Sequence, residues 1–207
     1  MDDLFRDSRP SIVELLPGTF QLAAFADTRL LRADLRTIIA ASPWRHQNTP
    51  GGKRIQVAIT NCGELGWVSD ATGYRYQATD PLNGSAWPAM PDTWATLAKR
   101  AAGAVGYADF NANACLINRY LPGDRMSSHQ DRNEGDFSQP VVTLSMGLAA
   151  EFLLYGRSRG GKPLSTRVFD GDVIVMGGTS RMAFHGVRGV EPGADRARVS
   201  LTFRYAR

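Results

Sequence analysis

The residues best suited to chemistry in this 207-residue chain are its three histidines, His46, His129 and His185. His129 stands in Ser127-Ser128-His129-Gln130-Asp131, so on extended backbone His129 and Asp131 project to the same side. His185 closes Met182-Ala183-Phe184-His185, just ahead of Gly186. Two imidazoles and one carboxylate are the set that binds non-haem iron(II) on one face and leaves three coordination positions open. Alone, the H-x-D spacing more often marks a surface turn or a structural hydrogen bond. His46 has no partner of this kind and reads as a surface residue.

The last strand raises the value of that constellation. In Arg198-Val199-Ser200-Leu201-Thr202-Phe203-Arg204 every even position is polar and every odd one apolar. Such a strand can turn its polar face to water. Beside an iron-type triad, two arginines on one face also suit a dicarboxylate: one end on the metal, the far carboxylate in a guanidinium fork. Asn118 and Tyr120, two residues apart, offer an amide and a phenol to the same side.

Elements must hold these groups together. Residues 27–41 read as a helix capped by Asp27 or Thr28 and ended by Pro43, with Leu31, Leu35 and Ile38 on one face. Residues 91–105 read as a second, with Pro91 in its first turn, Trp94, Leu97, Ala98, Ala101 and Val105 on one face, and Gly106 as the stop. Between them, 44–88 is loop-rich and aromatic, carrying Trp44, Trp67, Tyr74, Tyr76 and Trp87 with short strands. A segment of that length is more than a connection and suits a lid over a site. From about 110 onward, strands are expected over 115–120, 141–148, 151–155, 167–169, 173–176, 182–185 and 198–204, separated by glycine turns. Many short strands at regular spacing imply a sandwich or double-sheet jelly roll.

Composition bounds the class. The chain suits one substantial core, with 43% hydrophobic and 21% charged residues. Met1 to Arg6 show no leader pattern and no apolar run is long enough to span a bilayer, so a cytoplasmic protein without membrane attachment is expected. Cys62 and Cys115 make no disulfide framework. The net charge of +4, carried almost wholly by arginine since only Lys53, Lys99 and Lys162 are lysines, permits a nucleic-acid partner but is better explained by codon bias.

Several stretches together resemble the AlkB family of DNA-repair dioxygenases over nearly the whole chain. They are Thr60-Asn61-Cys62-Gly63, Leu65-Gly66-Trp67, Gly73-Tyr74-Arg75-Tyr76, Trp87-Pro88-Ala89-Met90-Pro91 and Ala114 through Tyr120 with Pro122-Gly123. His129-Gln130-Asp131, Phe184-His185-Gly186 and Leu201-Thr202-Phe203-Arg204 complete the set. The resemblance implies a mainly β fold with flanking helices, a double-stranded β-helix (jelly roll) with an N-terminal nucleotide-recognition lid. It implies one domain over 1–207: an extension and helix over 1–43, the lid over 44–88, and a helix with the jelly-roll core over 89–207. It implies Fe2+ on His129, Asp131 and His185, O2, and 2-oxoglutarate among Asn118, Tyr120, Arg198, Ser200 and Arg204, with Arg198 on the distal carboxylate and Arg204 nearer the metal. Trp67 would stack on a flipped base with His129 on its other face, Tyr74 and Tyr76 would bond backbone phosphates, and Arg159 would border the base. Read without the family, Trp67 and the tyrosines equally suit lid packing, and Arg159 a solvated turn.

The implied reaction is oxidative demethylation of 1-methyladenine and 3-methylcytosine by a monomer acting on single- or double-stranded DNA, with RNA as a second candidate. It consumes O2, decarboxylates 2-oxoglutarate and releases formaldehyde, succinate and CO2. The chain departs from the family at Asn133, where an acidic residue usually follows the iron aspartate by two, and at Ser200, usually asparagine. Rival readings are a cupin, which would show H-x-H and need no Arg198 or Arg204; an RNA- or protein-directed oxygenase of the same type; and a non-catalytic nucleic-acid binding module stacking bases on Trp67, Tyr74 and Tyr76, which has no use for three metal ligands.

Overall fold

The computed structural model describes residues 8–207, and the reading of Met1 to Arg6 lies outside them. In chain order the strands are β1 (Ile12–Leu16), β2 (Thr19–Leu22), β3 (Ala58–Gly63), β4 (Gly66–Asp70), β5 (Gly73–Gln77), β6 (Ala114–Tyr120) and β7 (Met126–His129). They continue with β8 (Val141–Gly147), β9 (Ala150–Gly156), β10 (Leu164–Val168), β11 (Val173–Met176), β12 (Phe184–Val187) and β13 (Arg198–Arg204). The helices are α1 (Arg32–Ala41) and α2 (Asp92–Gly103), with a 3-10 turn over Thr28–Leu31 leading into α1.

Alternation along each strand sorts side chains into two cores. A seven-stranded sheet runs β1-β2-β11-β8-β13-β6-β3, a four-stranded sheet runs β10-β9-β12-β7, and β4-β5 form a separate hairpin. On one face of the large sheet Ile117, Val173, Val175, Leu201 and Phe203 pack with Leu35, Ile38, Trp94 and Leu97 of the helices. On the other, Leu116, Ile174 and Met176 meet Phe152, Leu154 and Val187 of the small sheet. Both faces of the large sheet are therefore covered, by helices on one side and the second sheet on the other. Phe203 anchors the helix side, its ring edge-on to Trp94 at 6.4 Å.

Several expectations hold in detail and others shift. β11 and β13 begin and end where the sequence places them, and β6, β8 and β9 agree within a residue or so. β12 starts two residues later than expected because Met182 and Ala183 belong to a turn closed by Ala183 N–H donating to the Ser180 carbonyl. β10 lies earlier, over Leu164–Val168, because its register runs against β9 from Leu154 back to Ala150. The expected first helix is interrupted: Asp27 caps the 3-10 turn by accepting from Arg29 N–H, and α-helix follows from Arg32. Pro91 is the cap of α2 rather than part of its first turn. The segment 44–88 is not wholly a separate excursion, since β3 pairs with β6 as the edge strand of the large sheet. Among the described residues no helix is long and apolar enough to cross a membrane.

Candidate active site

The polar face of β13 does not meet water. Arg198, Ser200, Thr202 and Arg204 are all buried, 1% to 6% exposed, because that face looks into the space between the two sheets. Antiparallel pairing sets Arg198 opposite Tyr120 and Ser200 opposite Asn118 on β6, so the five groups expected around a dicarboxylate share one wall. Asn118 and Tyr120 are buried as well.

The opposite wall brings the histidines together. His185 on β12 is the register partner of His129 on β7, and their rings lie 4.3 Å apart. Gly186 allows this closeness: a Cβ there would meet the Met126 carbonyl oxygen at 2.7 Å. Asp131, just beyond the end of β7, completes the cluster with Oδ1 3.9 Å from His129 Nε2 and Oδ2 3.8 Å from His185 Nε2. One ligand atom from each residue lies within 4.8 Å of the others, so the three could hold one metal ion. Each imidazole directs Nδ1 at a backbone carbonyl, His129 at Ser127 (2.9 Å) and His185 at Ala183 (3.1 Å), which fixes the tautomer that leaves Nε2 as a ligand.

The electrostatics suit a cation. Burial pushes His185 down, helped by His129 and opposed by Asp131, to about 4, so at neutral pH it is the neutral, ligating form. Burial would raise Asp131, but Arg204 and the two histidines outweigh it and hold the carboxyl well below its ordinary range. Arg204 Nη2 donates to Asp131 Oδ2 at 2.9 Å.

Arg198 supplies the test for a dicarboxylate. Its guanidinium is fully buried, donates one hydrogen bond, to Ser145 Oγ at 2.9 Å, and lies over the Tyr120 ring at 4.9 Å. Among the described residues it has no carboxylate partner, and its Nε and Nη1 are unbonded, as are Arg204 Nη1 and Asn118 Oδ1. Asn118 Nδ2 reaches Ser200 Oγ only at 3.5 Å. A buried charge without a counter-ion costs several kcal/mol, roughly, so an anion at this wall matches what the side chains lack. The donors present fit 2-oxoglutarate.

Of the remaining expected residues, Trp67 and Tyr74 on the β4–β5 hairpin stack at 5.7 Å. Trp67 is half-buried and Tyr74 exposed. Asn61 pins the Trp67 backbone, accepting its N–H and donating to its carbonyl. Tyr76 turns inward, its hydroxyl donating to Glu134 Oε1 at 2.7 Å. Asn133 and Arg159 are exposed, Arg159 lying over the Phe184 ring at 5.4 Å. His46 is exposed as expected. Sequence reasoning gives Arg181 no place, yet this buried arginine donates to the Asp131 and Gln139 carbonyls and pairs with Glu134. Nothing in its local pattern marks it, since its partners lie about 40 to 50 residues away.

The family model of the 2OG-Fe(II) oxygenase superfamily matches residues 18–204. The Escherichia coli protein named alpha-ketoglutarate-dependent dioxygenase AlkB is 44% identical over 100% of this chain and 98% of its own length. Its Salmonella typhimurium counterpart is 42% identical over the same shares. The chain belongs to the AlkB family. As an AlkB-family dioxygenase it uses iron(II) and 2-oxoglutarate, for which the cluster of His129, Asp131 and His185 and the anion-deficient wall of β13 provide matching groups. The solved structure of OsALKBH1 superposes with a TM-score of 0.80 at 25% identity, covering 93% of this chain and 99% of that one, which fits the AlkB jelly roll. Another family relative, the tRNA demethylase abh1 of Schizosaccharomyces pombe, is 35% identical over 63% of this chain and 44% of its own length.

Proposed function

We propose that this chain removes methyl groups oxidatively from alkylated nucleobases, 1-methyladenine and 3-methylcytosine, in single- or double-stranded DNA, acting as a monomer. The observation that carries the reading is Arg198, a buried guanidinium with no carboxylate partner among the described residues, on the sheet opposite the one that carries the two histidines of a three-residue metal cluster. His129, Asp131 and His185 hold the iron; Arg198 takes the distal carboxylate of 2-oxoglutarate, with Tyr120, Asn118 and Ser200 beside it and Arg204 nearer the metal. Iron(II), 2-oxoglutarate and O2 together supply the oxidising power, and the products are succinate, CO2 and the base's methyl carbon as formaldehyde. Trp67, one ring face of which is stacked by Tyr74, takes the extruded base on its other face, with His129 on the far side of the base. The exposed Tyr74 phenol bonds phosphate and Arg159 borders the base. Tyr76 is assigned no phosphate, because its hydroxyl is engaged by Glu134. In this layout 44–88 carries the recognition lid, 89–207 the catalytic core, and 1–43 the extension, in one domain.

An RNA substrate is the second reading, favoured by the likeness to the tRNA demethylase of fission yeast. One experiment addresses both: iron(II) and 2-oxoglutarate are added anaerobically, O2 is admitted, and formaldehyde is measured with methylated DNA and RNA oligonucleotides of one sequence. Formaldehyde is expected from DNA at the higher rate, and none from His129→Ala, Asp131→Ala or His185→Ala. Iron-dependent succinate release persisting in all three variants would overturn the ligand assignment.

A further inference from the structure

Glu134 has no part in the site derived so far, yet it is among the most enclosed carboxylates of the molecule, its side chain 2% exposed. It lies three residues beyond Asp131. Its Oε1 accepts from the Tyr76 hydroxyl at 2.7 Å and faces Arg204 Nε at 3.3 Å, and its Oε2 faces Arg181 Nη2 at 3.3 Å. Three donors therefore surround a group that would be costly to bury alone. Arg204 is shared: its Nε lies 3.3 Å from Glu134 Oε1 and also 3.3 Å from Asp131 Oδ2, while Nη2 holds that same Asp131 oxygen at 2.9 Å.

The sharing has a consequence for Asp131. Both contacts from Arg204 fall on Oδ2, and Oδ1, the oxygen nearer His129, receives none from it. A guanidinium facing a lone carboxylate prefers the two-oxygen fork. With Glu134 drawing Nε aside, Arg204 is kept out of that fork and Oδ1 is left for a cation. The charges agree with the geometry. Asp131 and Glu134 balance Arg181 and Arg204, so the cluster around the metal ligands is neutral before a dication enters.

We infer that Glu134 is a positioning residue for the metal: without ligating it, Glu134 restrains Arg204 and so keeps Asp131 free to bind. This rests on His129, Asp131 and His185 being the ligands. Neutralising Glu134 releases Arg204 toward Asp131 and leaves an extra positive charge beside a dication, and both effects lower metal affinity.

The test is Mn(II) affinity of the full chain by calorimetry, without turnover. Glu134→Gln is expected to weaken binding roughly 10- to 100-fold, the range found when partners of metal ligands are removed. In an Arg204→Met background the same substitution is expected to cost several-fold less, because its route through Arg204 is gone and only the lost negative charge still acts. Glu134→Asp keeps the charge but withdraws it by one methylene; a loss of about threefold is expected, and this variant carries the test should Gln at this position prevent folding. Wild-type affinity in Glu134→Asp and Glu134→Gln, or an equal loss with and without Arg204, overturns the inference. A wild-type chain that binds no Mn(II) overturns the ligand assignment itself, which is a different result.

Discussion

Arg198 shows how much one residue can decide. A buried guanidinium whose Nε and Nη1 meet no acceptor among the described residues should bind an anion strongly. Arg198→Ala is expected to raise the 2-oxoglutarate concentration needed for half-maximal turnover at least tenfold, since a charged hydrogen bond contributes roughly 1.5–3 kcal/mol. Affinity for methylated oligonucleotide should change far less, and the two titrations run side by side check the split. Asn133 carries the opposite lesson, a charge that is missing. The lesions 1-methyladenine and 3-methylcytosine are cationic near neutral pH. Glu134 cannot supply the family's usual carboxylate, because Tyr76, Arg181 and Arg204 hold it inside. Asn133 is exposed, so a carboxylate there stays hydrated and its attraction to a cation a few ångströms away, up to roughly 4 kcal/mol at an effective dielectric near 20, is reduced by screening. Asn133→Asp is expected to raise the ratio of turnover on 3-methylcytosine to that on neutral 1-methylguanine several-fold. A flat or falling ratio would remove Asn133 from substrate selection.

At the scale of elements, the strands were legible and the direction they face was not. Alternation in 198–204 reads the same for a strand with one wet face and for one enclosed on both sides. Burial of the polar face depends on a second sheet, whose order β10-β9-β12-β7 differs from chain order and so is not written in any local pattern. The N-terminal hairpin of β1 and β2 escaped notice because its strands are four and five residues long, separated by Pro17 and Gly18, and β2 owes its place to pairing with β11. The triad was readable because His129 and Asp131 are two residues apart, whereas Arg181 becomes part of the site only through tertiary contacts. Gly186 links element to site. Gly186→Ala puts a methyl against the Met126 carbonyl, a backbone atom that moves only if β7 and β12 separate. Mn(II) affinity is expected to fall at least tenfold in this variant, with a loss of about 1–3 kcal/mol in stability. An alanine variant that binds Mn(II) as wild type does would show that the two strands tolerate the spacing.

The whole molecule should register the site in its response to acid. His185 titrates near 4 in the folded chain against an ordinary 6.5, so below 6.5 the unfolded chain takes up a proton that the folded chain refuses. Stability of the metal-free protein is then complete above about 6.5 and falls as pH drops toward 4, by roughly 3 kcal/mol in all. Asp131 acts in a lower window: its carboxyl is held below the ordinary value of 3.8, so its contribution is present above that pH and is lost only in stronger acid. Urea denaturation of metal-free wild type and His185→Gln at pH 7 and pH 4.5 separates the two, the variant being expected to lose less over this interval. Equal losses would show that His185 is not the group responsible.

The uncompensated charge on Arg198 also reaches beyond catalysis. A dicarboxylate that answers it binds only the folded chain, and at a concentration of 100 times its dissociation constant such a ligand adds about 2.7 kcal/mol to stability. The folded fraction of this protein, and with it the fraction open to proteases, is thereby tied to the supply of a central metabolite. Limited proteolysis of the purified chain is accordingly expected to slow as 2-oxoglutarate is added, and to slow less in Arg198→Ala.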